Sequence, residues 1–174
     1  MADNVRLALR MALRDSKPPA PLFESTAHRL DWLGKMSKRL SRRIPDFDER
    51  LELIKLIRYE AQRAGLNPQM VFALIEVESN FRSDAVSSAG AIGLMQVMPF
   101  WTDVLSNGKS RELLDPRVNI RYGCLILRHY LDMEKGNLDR ALGRYNGSLG
   151  KMTYPNLIYD RLDRNWRYRW VASG

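Results

Sequence analysis

The feature that most constrains this chain is the repetition, from end to end, of apolar residues three or four positions apart, punctuated by helix start and stop signals. Two of those signals are strong. Asn67-Pro68 and Asp115-Pro116 each place a capping side chain before a proline at the first helical position, where the missing amide hydrogen costs nothing. The first predicts a helix from Pro68 to about Ser79. The second predicts one whose buried face is Ile120, Cys124, Leu127 and Leu131, ended by Gly136. Val5, Leu9 and Leu13 mark a short first helix, Leu30, Leu33, Met36 and Leu40 a second, and Leu51, Ile54, Ile57 and Ala61 a third that stops at Gly65. Shorter helices are expected over roughly residues 137–145 and 156–168. No segment reads as a strand, so an all-α fold is expected.

At 174 residues the chain is long enough for one domain with a real core, and 45% hydrophobic residues exclude a disordered polymer. Lys17-Pro18-Pro19-Ala20-Pro21 breaks the first helix from the rest, which predicts an N-terminal helical arm and linker over residues 1–21 and a main domain over 22–174. One cysteine, Cys124, and two histidines, His28 and His129, give neither a disulfide nor a cluster at metal-ligand spacing, so no metal or other cofactor is expected. Cys124 sits in an apolar run and is expected to be core.

A net charge of +8 and a pI near 9.9 favour a polyanionic partner without naming it. Nucleic acid is not the expected one, because no helix-turn-helix and no aromatic-basic interleaving is present. No apolar run approaches the ~20 residues a bilayer crossing needs. Arg6, Arg10 and Arg14 interrupt what would be the apolar core of a secretion signal.

One residue stands out chemically. On the helix from Pro68, the spacing of Val71, Leu74 and Ile75 continues onto Glu78, which puts a carboxylate on a core-facing position. Glu76 lies about 200° around the same helix and is expected to face solvent. A carboxylate against apolar walls holds its proton near neutrality and can donate it. Periodicity alone leaves open whether Glu78 is such a donor or a structural brace.

The surrounding residues carry a resemblance. Glu78-Ser79 is followed, after a short loop, by Gly93-Leu94-Met95-Gln96 and then Met98-Pro99. Asp115-Pro116 with Asn119-Ile120 and Gly123 follows, and then Tyr145-Asn146-Gly147. This order resembles the soluble lytic transglycosylase family over roughly residues 66–162. The resemblance implies a goose-type, lysozyme-like helical domain with a groove for glycan strands of peptidoglycan. It implies Glu78 as sole acid and base, cleaving between N-acetylmuramic acid and N-acetylglucosamine to leave a 1,6-anhydro end. Ser79, Met95, Gln96, Tyr145, Asn146 and Tyr159 are carried over as substrate-binding positions, with Tyr145 contacting Glu78. Asp84, the nearest further acid, reads as a solvated loop residue. A hydrolytic muramidase and a non-catalytic wall-binding module are the alternatives.

The chain departs from the family in two places: Arg144 stands where Ala is usual, adding charge beside the groove, and no Glu-Thr pair precedes Tyr159. A monomer is expected, since a glycan groove must stay open. The resemblance further implies a periplasmic or envelope location, the chain being a processed form from which a signal peptide has been removed.

Overall fold

A computed structural model describes residues 3–17, 23–106 and 108–171, and among these no strand is present. The helices are α1 (Asp3–Arg14), α2 (Thr26–Leu40), α3 (Phe47–Arg63), α4 (Pro68–Ser79), α5 (Phe100–Leu105), α6 (Pro116–Met133), α7 (Leu138–Asn146) and α8 (Thr153–Arg161). A short 3-10 turn, Ser110–Leu114, precedes α6, and a π-helical turn, Leu162–Trp166, continues α8. The all-α expectation holds.

The start signals work as the sequence implies. Asn67 Oδ1 accepts the amides of Gln69 and Met70, Asp115 Oδ1 accepts that of Arg117, and Ser25, Asp46 and Asn137 cap α2, α3 and α7. Each cap satisfies amides that have no partner within the helix.

The centre of the molecule is α4. Its residues Met70 to Ile75 are an unbroken apolar run and all are buried, so the helix is apolar around its whole circumference. It packs against α3, α8 and the π turn. Around it lies one core that includes Trp32, Met36, Ile54, Ile57, Phe72 and Trp166. Each such side chain stabilises the fold by roughly 1.5–3 kcal/mol through burial. Cys124 belongs to this core, and burial pushes its thiol well above the ordinary range.

Three differences from the sequence reading follow from tertiary context. The helix expected over residues 156–168 begins at Thr153 and has ended before Arg167, whose amide bonds back to Leu162 O at 2.7 Å. The six-residue α5 and the 3-10 turn are too short for periodicity to reveal. Glu76 does not face solvent: its side chain is 7% exposed. It accepts hydrogen bonds from Arg43 (2.6 Å), Asn165 (2.8 Å) and Trp166 Nε1 (2.6 Å), because a fully surrounded helix has no solvent face.

The Pro-rich residues 18–21 lie outside the described residues. Helix α1 packs on α5 and α6. Its last carbonyls receive guanidinium groups: Ala12 from Arg63 at 2.6 Å and Leu13 from Arg121 at 3.3 Å. Both arginines are held by the buried carboxylate of Glu60.

Candidate active site

Glu78 sits in the last turn of α4. Burial raises its pKa from 4.5 to about 7, opposed by a hydrogen bond from the Tyr154 hydroxyl to Oε1. The carboxyl is therefore a mixture of acid and carboxylate near neutrality and can lend or take a proton. Tyr154, early in α8, is 7% exposed, and burial together with the Glu78 charge pushes its phenol well above the usual range. It remains a donor to Glu78 at any ordinary pH.

Beyond Glu78 the chain turns sharply through Asn80 and Phe81, both with positive φ, and returns as the loop of residues 85–97. Two isolated antiparallel bridges, Val86 with Ile92 and Ile92 with Val97, shape this loop. Three fixings hold it against Glu78's helix and α6. Ser79 Oγ lies 2.8 Å from Leu94 O. Asn119, 1% exposed on α6, donates to Ile92 O and Leu113 O and accepts from Met95 N, each at 2.8 Å. Gly93, at φ 76°, lies so close that a Cβ would come within 2.4 Å of Asn119 Nδ2 and 2.7 Å of Leu113 O. Only glycine meets both conditions.

The carried-over positions separate into two groups. Ser79 and Met95 are core. Ser79 is 5% exposed with its hydroxyl directed at backbone carbonyls, and Met95 is 0% exposed, packed on Gly123, where a Cβ would meet Met95 Sδ at 2.4 Å. Both side chains are engaged by the protein itself, Ser79 by the loop backbone and Met95 by α6. Gln96, Tyr145 and Asn146 instead line a cavity of about 220 Å³ between α5 and α7, together with Phe100, Trp101 and Arg144. Gln96 directs its amide at Gly93 O (2.9 Å) and Ala85 O (3.2 Å), and Asn146 is exposed at the end of α7.

Tyr145 connects the cavity to Glu78. It lines the cavity, and burial and the Glu78 charge push its phenol up, but its hydroxyl donates to Met95 O at 2.8 Å. The tyrosine hydrogen-bonded to Glu78 is Tyr154, which sequence reasoning missed. Its signal was faint, a Tyr-Pro pair opening a short helix. Tyr159 lies five residues further on α8, about 140° around the helix from Tyr154, and donates to Asp139 of α7 at 2.5 Å. It is a link between helices. Arg144 is paired with Glu134, which also holds Arg140, so one carboxylate serves two guanidinium groups and one positive charge remains in this cluster.

No group of three or more His, Cys, Asp or Glu side chains able to hold a metal occurs among the described residues. Asp84 is exposed. Glu78 does not itself line the cavity between α5 and α7; the arrangement provides one largely buried proton-exchanging carboxyl whose charge is felt by Tyr145 of the cavity wall, which suits acid-base chemistry on a polar substrate.

Comparison with known proteins gives a consistent result. The transglycosylase SLT domain family matches residues 55–163. A membrane-bound lytic murein transglycosylase C from Haemophilus ducreyi is 42% identical over 91 residues, covering 45% of this chain and 25% of that protein. Its namesake from Yersinia enterocolitica is 31% identical over 155 residues, covering 72% of this chain and 43% of that protein. Among solved structures, an inactive Glu-to-Gln mutant of the lytic transglycosylase Slt from Pseudomonas aeruginosa superposes with a TM-score of 0.50 at 28% identity. That match covers 70% of this chain and 22% of the other. The chain thus spans about a quarter of the length of the first curated relatives it matches.

Proposed function

Since the chain belongs to the transglycosylase SLT domain family and has a lysozyme-like all-α fold, we propose that it is a peptidoglycan lytic transglycosylase with Glu78 as its single acid and base. The observation that carries this reading is the state of Glu78. It is buried, with a pKa raised to about 7, bonded to Tyr154, and separated by its helix from Glu76, whose carboxylate is bound to Arg43, Asn165 and Trp166.

Glycosidases generally use two carboxylates, the second as nucleophile or as base for water. One carboxyl suffices if the substrate supplies the nucleophile. Protonated Glu78 gives its hydrogen to the oxygen linking N-acetylmuramic acid to N-acetylglucosamine, and that bond breaks with its electron pair on the leaving oxygen. The acetamido group of the muramic residue stabilises the cationic C1. Glu78, now carboxylate, takes the hydrogen from the C6 hydroxyl as its oxygen closes on C1. A 1,6-anhydro end results, no water is consumed, and Glu78 is again protonated. A pKa of about 7 fits both halves of this cycle, because neither protonation state is strongly disfavoured at neutral pH.

Gln96, Tyr145 and Asn146, which line the cavity between α5 and α7, supply the glycan contacts in this reading. The chain acts as a monomer in the cell envelope, where this polymer lies, and no described helix is long and apolar enough to cross a membrane. Mass spectrometry of muropeptides released from purified peptidoglycan tests the reading. Products one water lighter than lysozyme products, absent with Glu78→Gln, are expected. Products with ordinary reducing ends would make the chain a hydrolytic muramidase, and binding without release would make it a wall-binding module.

A further inference from the structure

The cavity between α5 and α7 has one charged side chain among its described lining residues, and that charge is positive. It belongs to Arg144; the other walls are amide, aromatic and aliphatic. Arg144 stands where Ala is usual in the family, and the proton exchange at Glu78 makes no use of it.

Arg144 is only partly engaged by the protein. Its Nε donates to Glu134 Oε1, and Arg140, one turn earlier on the same side of α7, donates its Nε to Glu134 Oε2. These two bonds hold the Glu134 carboxyl below its usual range, and the side chain is 8% exposed, so one enclosed carboxylate faces two guanidinium groups. One positive charge is left over, and it is accessible: the side chains of Arg140 and Arg144 are 48% and 32% exposed. The charge is also felt within the cavity. Burial raises the pKa of Tyr130, on the α6 wall, and the charge of Arg144 opposes the rise.

The manner of the pairing identifies the partner. Each arginine turns its Nε to Glu134, and neither gives a hydrogen bond from its Nη groups to another described residue. A guanidinium with both terminal NH2 groups unused presents two N–H bonds side by side, the geometry that a carboxylate fills with its two oxygens. A neutral sugar offers no such group. N-acetylmuramic acid does, because it differs from N-acetylglucosamine by a lactyl arm that ends in a carboxylate or is extended by a peptide that carries carboxylates.

We propose that Arg144 is a specificity residue of this cavity, taking a carboxylate of the lactyl-peptide arm of N-acetylmuramic acid through its Nη groups. The proposal rests on the transglycosylase reading for the polymer, and not for any step at Glu78. Arg140 neutralises Glu134, which leaves the charge of Arg144 to the substrate. The consequence is a ranking of glycan strands by the charge of their arms, which amides and ring faces alone do not provide.

The test compares soluble peptidoglycan strands with the same strands after their carboxylates have been coupled to methylamine, which keeps the sugars and removes the negative charge. Binding is measured with nitrogen-15 labelled Glu78→Gln protein, which does not cleave the strands. The indole resonance of Trp101, which lines the cavity with Arg144, reports occupancy, and that of Trp166, fully buried with Nε1 bonded to Glu76, reports folding. Untreated strands are expected to bind about tenfold tighter than methylamidated ones. Arg144→Ala in the same background leaves Glu134 paired with Arg140 and is expected to reduce that ratio to about twofold or less. Arg144→Lys, which keeps the charge without the fork, is expected to retain part of it. A Trp101 resonance that no strand moves, equal binding of the two kinds of strand, or a tenfold ratio that survives Arg144→Ala overturns the proposal. A preference that vanishes with Arg144, in a protein whose wild type releases no anhydro product, upholds it and counts against the catalytic reading. Anhydro products released without any preference for carboxylates do the reverse.

Discussion

The Tyr154 hydroxyl gives its hydrogen to Glu78 Oε1, joining the start of α8 to the end of α4 across the site. This bond favours the carboxylate and opposes the burial that raises the Glu78 pKa. Tyr154→Phe removes it, so the pKa of Glu78 moves further up from about 7. The alkaline limb of kcat/KM, which falls as the acid loses its proton, is expected to move to higher pH. Turnover on the acid side is expected to drop by about tenfold, because the carboxyl is less well aimed. The rate of anhydro-muropeptide release between pH 5 and 9 measures both. An alkaline limb that stays in place contradicts the role given to Tyr154.

Burial of Glu78 also sets a pH dependence of stability. Its folded pKa is raised, so between about 4.5 and 7 the folded chain holds a proton that the unfolded chain has released, and stability falls as pH rises through that window. At about 1.4 kcal/mol per unit, the loss amounts to about 3 kcal/mol and is complete above pH 7. Glu78→Gln has no such loss. Urea denaturation at pH 4 and pH 8 should show the variant gaining on the wild type by about that amount at the higher pH. An equal response of the two proteins to pH would mean that Glu78 is not held protonated.

How much of this was legible in the sequence depends on the range of the interaction. The helix starts at Asn67-Pro68 and Asp115-Pro116 are local chemistry between a side chain and amides two or three residues on, and they were read correctly. The all-α class followed from periodicity. Glu76 was misread because a face is solvent-exposed only if nothing packs on it, and Arg43, Asn165 and Trp166 arrive from 33, 89 and 90 residues away. Tyr154 was missed for the same reason, lying 76 residues from Glu78. Met95 and Ser79 were placed in the motif, yet a motif does not tell whether a side chain lines a groove or supports its wall. Their burial does.

The loop beside Glu78 depends on Asn119. Its side chain is the partner of Met95 N and of the carbonyls of Ile92 and Leu113, and it is buried where water does not replace it. Asn119→Ala is expected to destabilise the protein by about 3 kcal/mol, the penalty for leaving buried polar groups unmatched. Activity should fall further than the unfolded fraction explains, since Gln96 and the Met95 carbonyl that holds Tyr145 move with the loop. Asn119→Asp keeps the acceptor for Met95 N while losing both donated bonds, and should be damaging as well. Denaturant unfolding with turnover measured on the folded fraction checks this. Full activity in folded Asn119→Ala would remove the loop from the positioning of the site.

Glu76 and Glu78 stand two residues apart on one helix, and removing their charges should have opposite effects. Glu76 receives hydrogen bonds from three residues, one of them the Arg43 guanidinium, and its side chain is 7% exposed. Glu76→Gln keeps the volume but leaves Arg43 without its counter-charge and turns an NH2 toward donors that need an acceptor. Losing one partner of a buried pair costs about 3–5 kcal/mol; since Arg43 is partly exposed and solvated, about 2 kcal/mol is expected. The variant should unfold at lower urea than the wild type at pH 8, where Glu78→Gln unfolds at higher urea. Because Trp166 Nε1 also bonds to Glu76, its indole resonance should shift in Glu76→Gln and stay in place in Glu78→Gln. Parallel behaviour of the two variants would show that burial, rather than the pairing of each carboxylate, governs this helix.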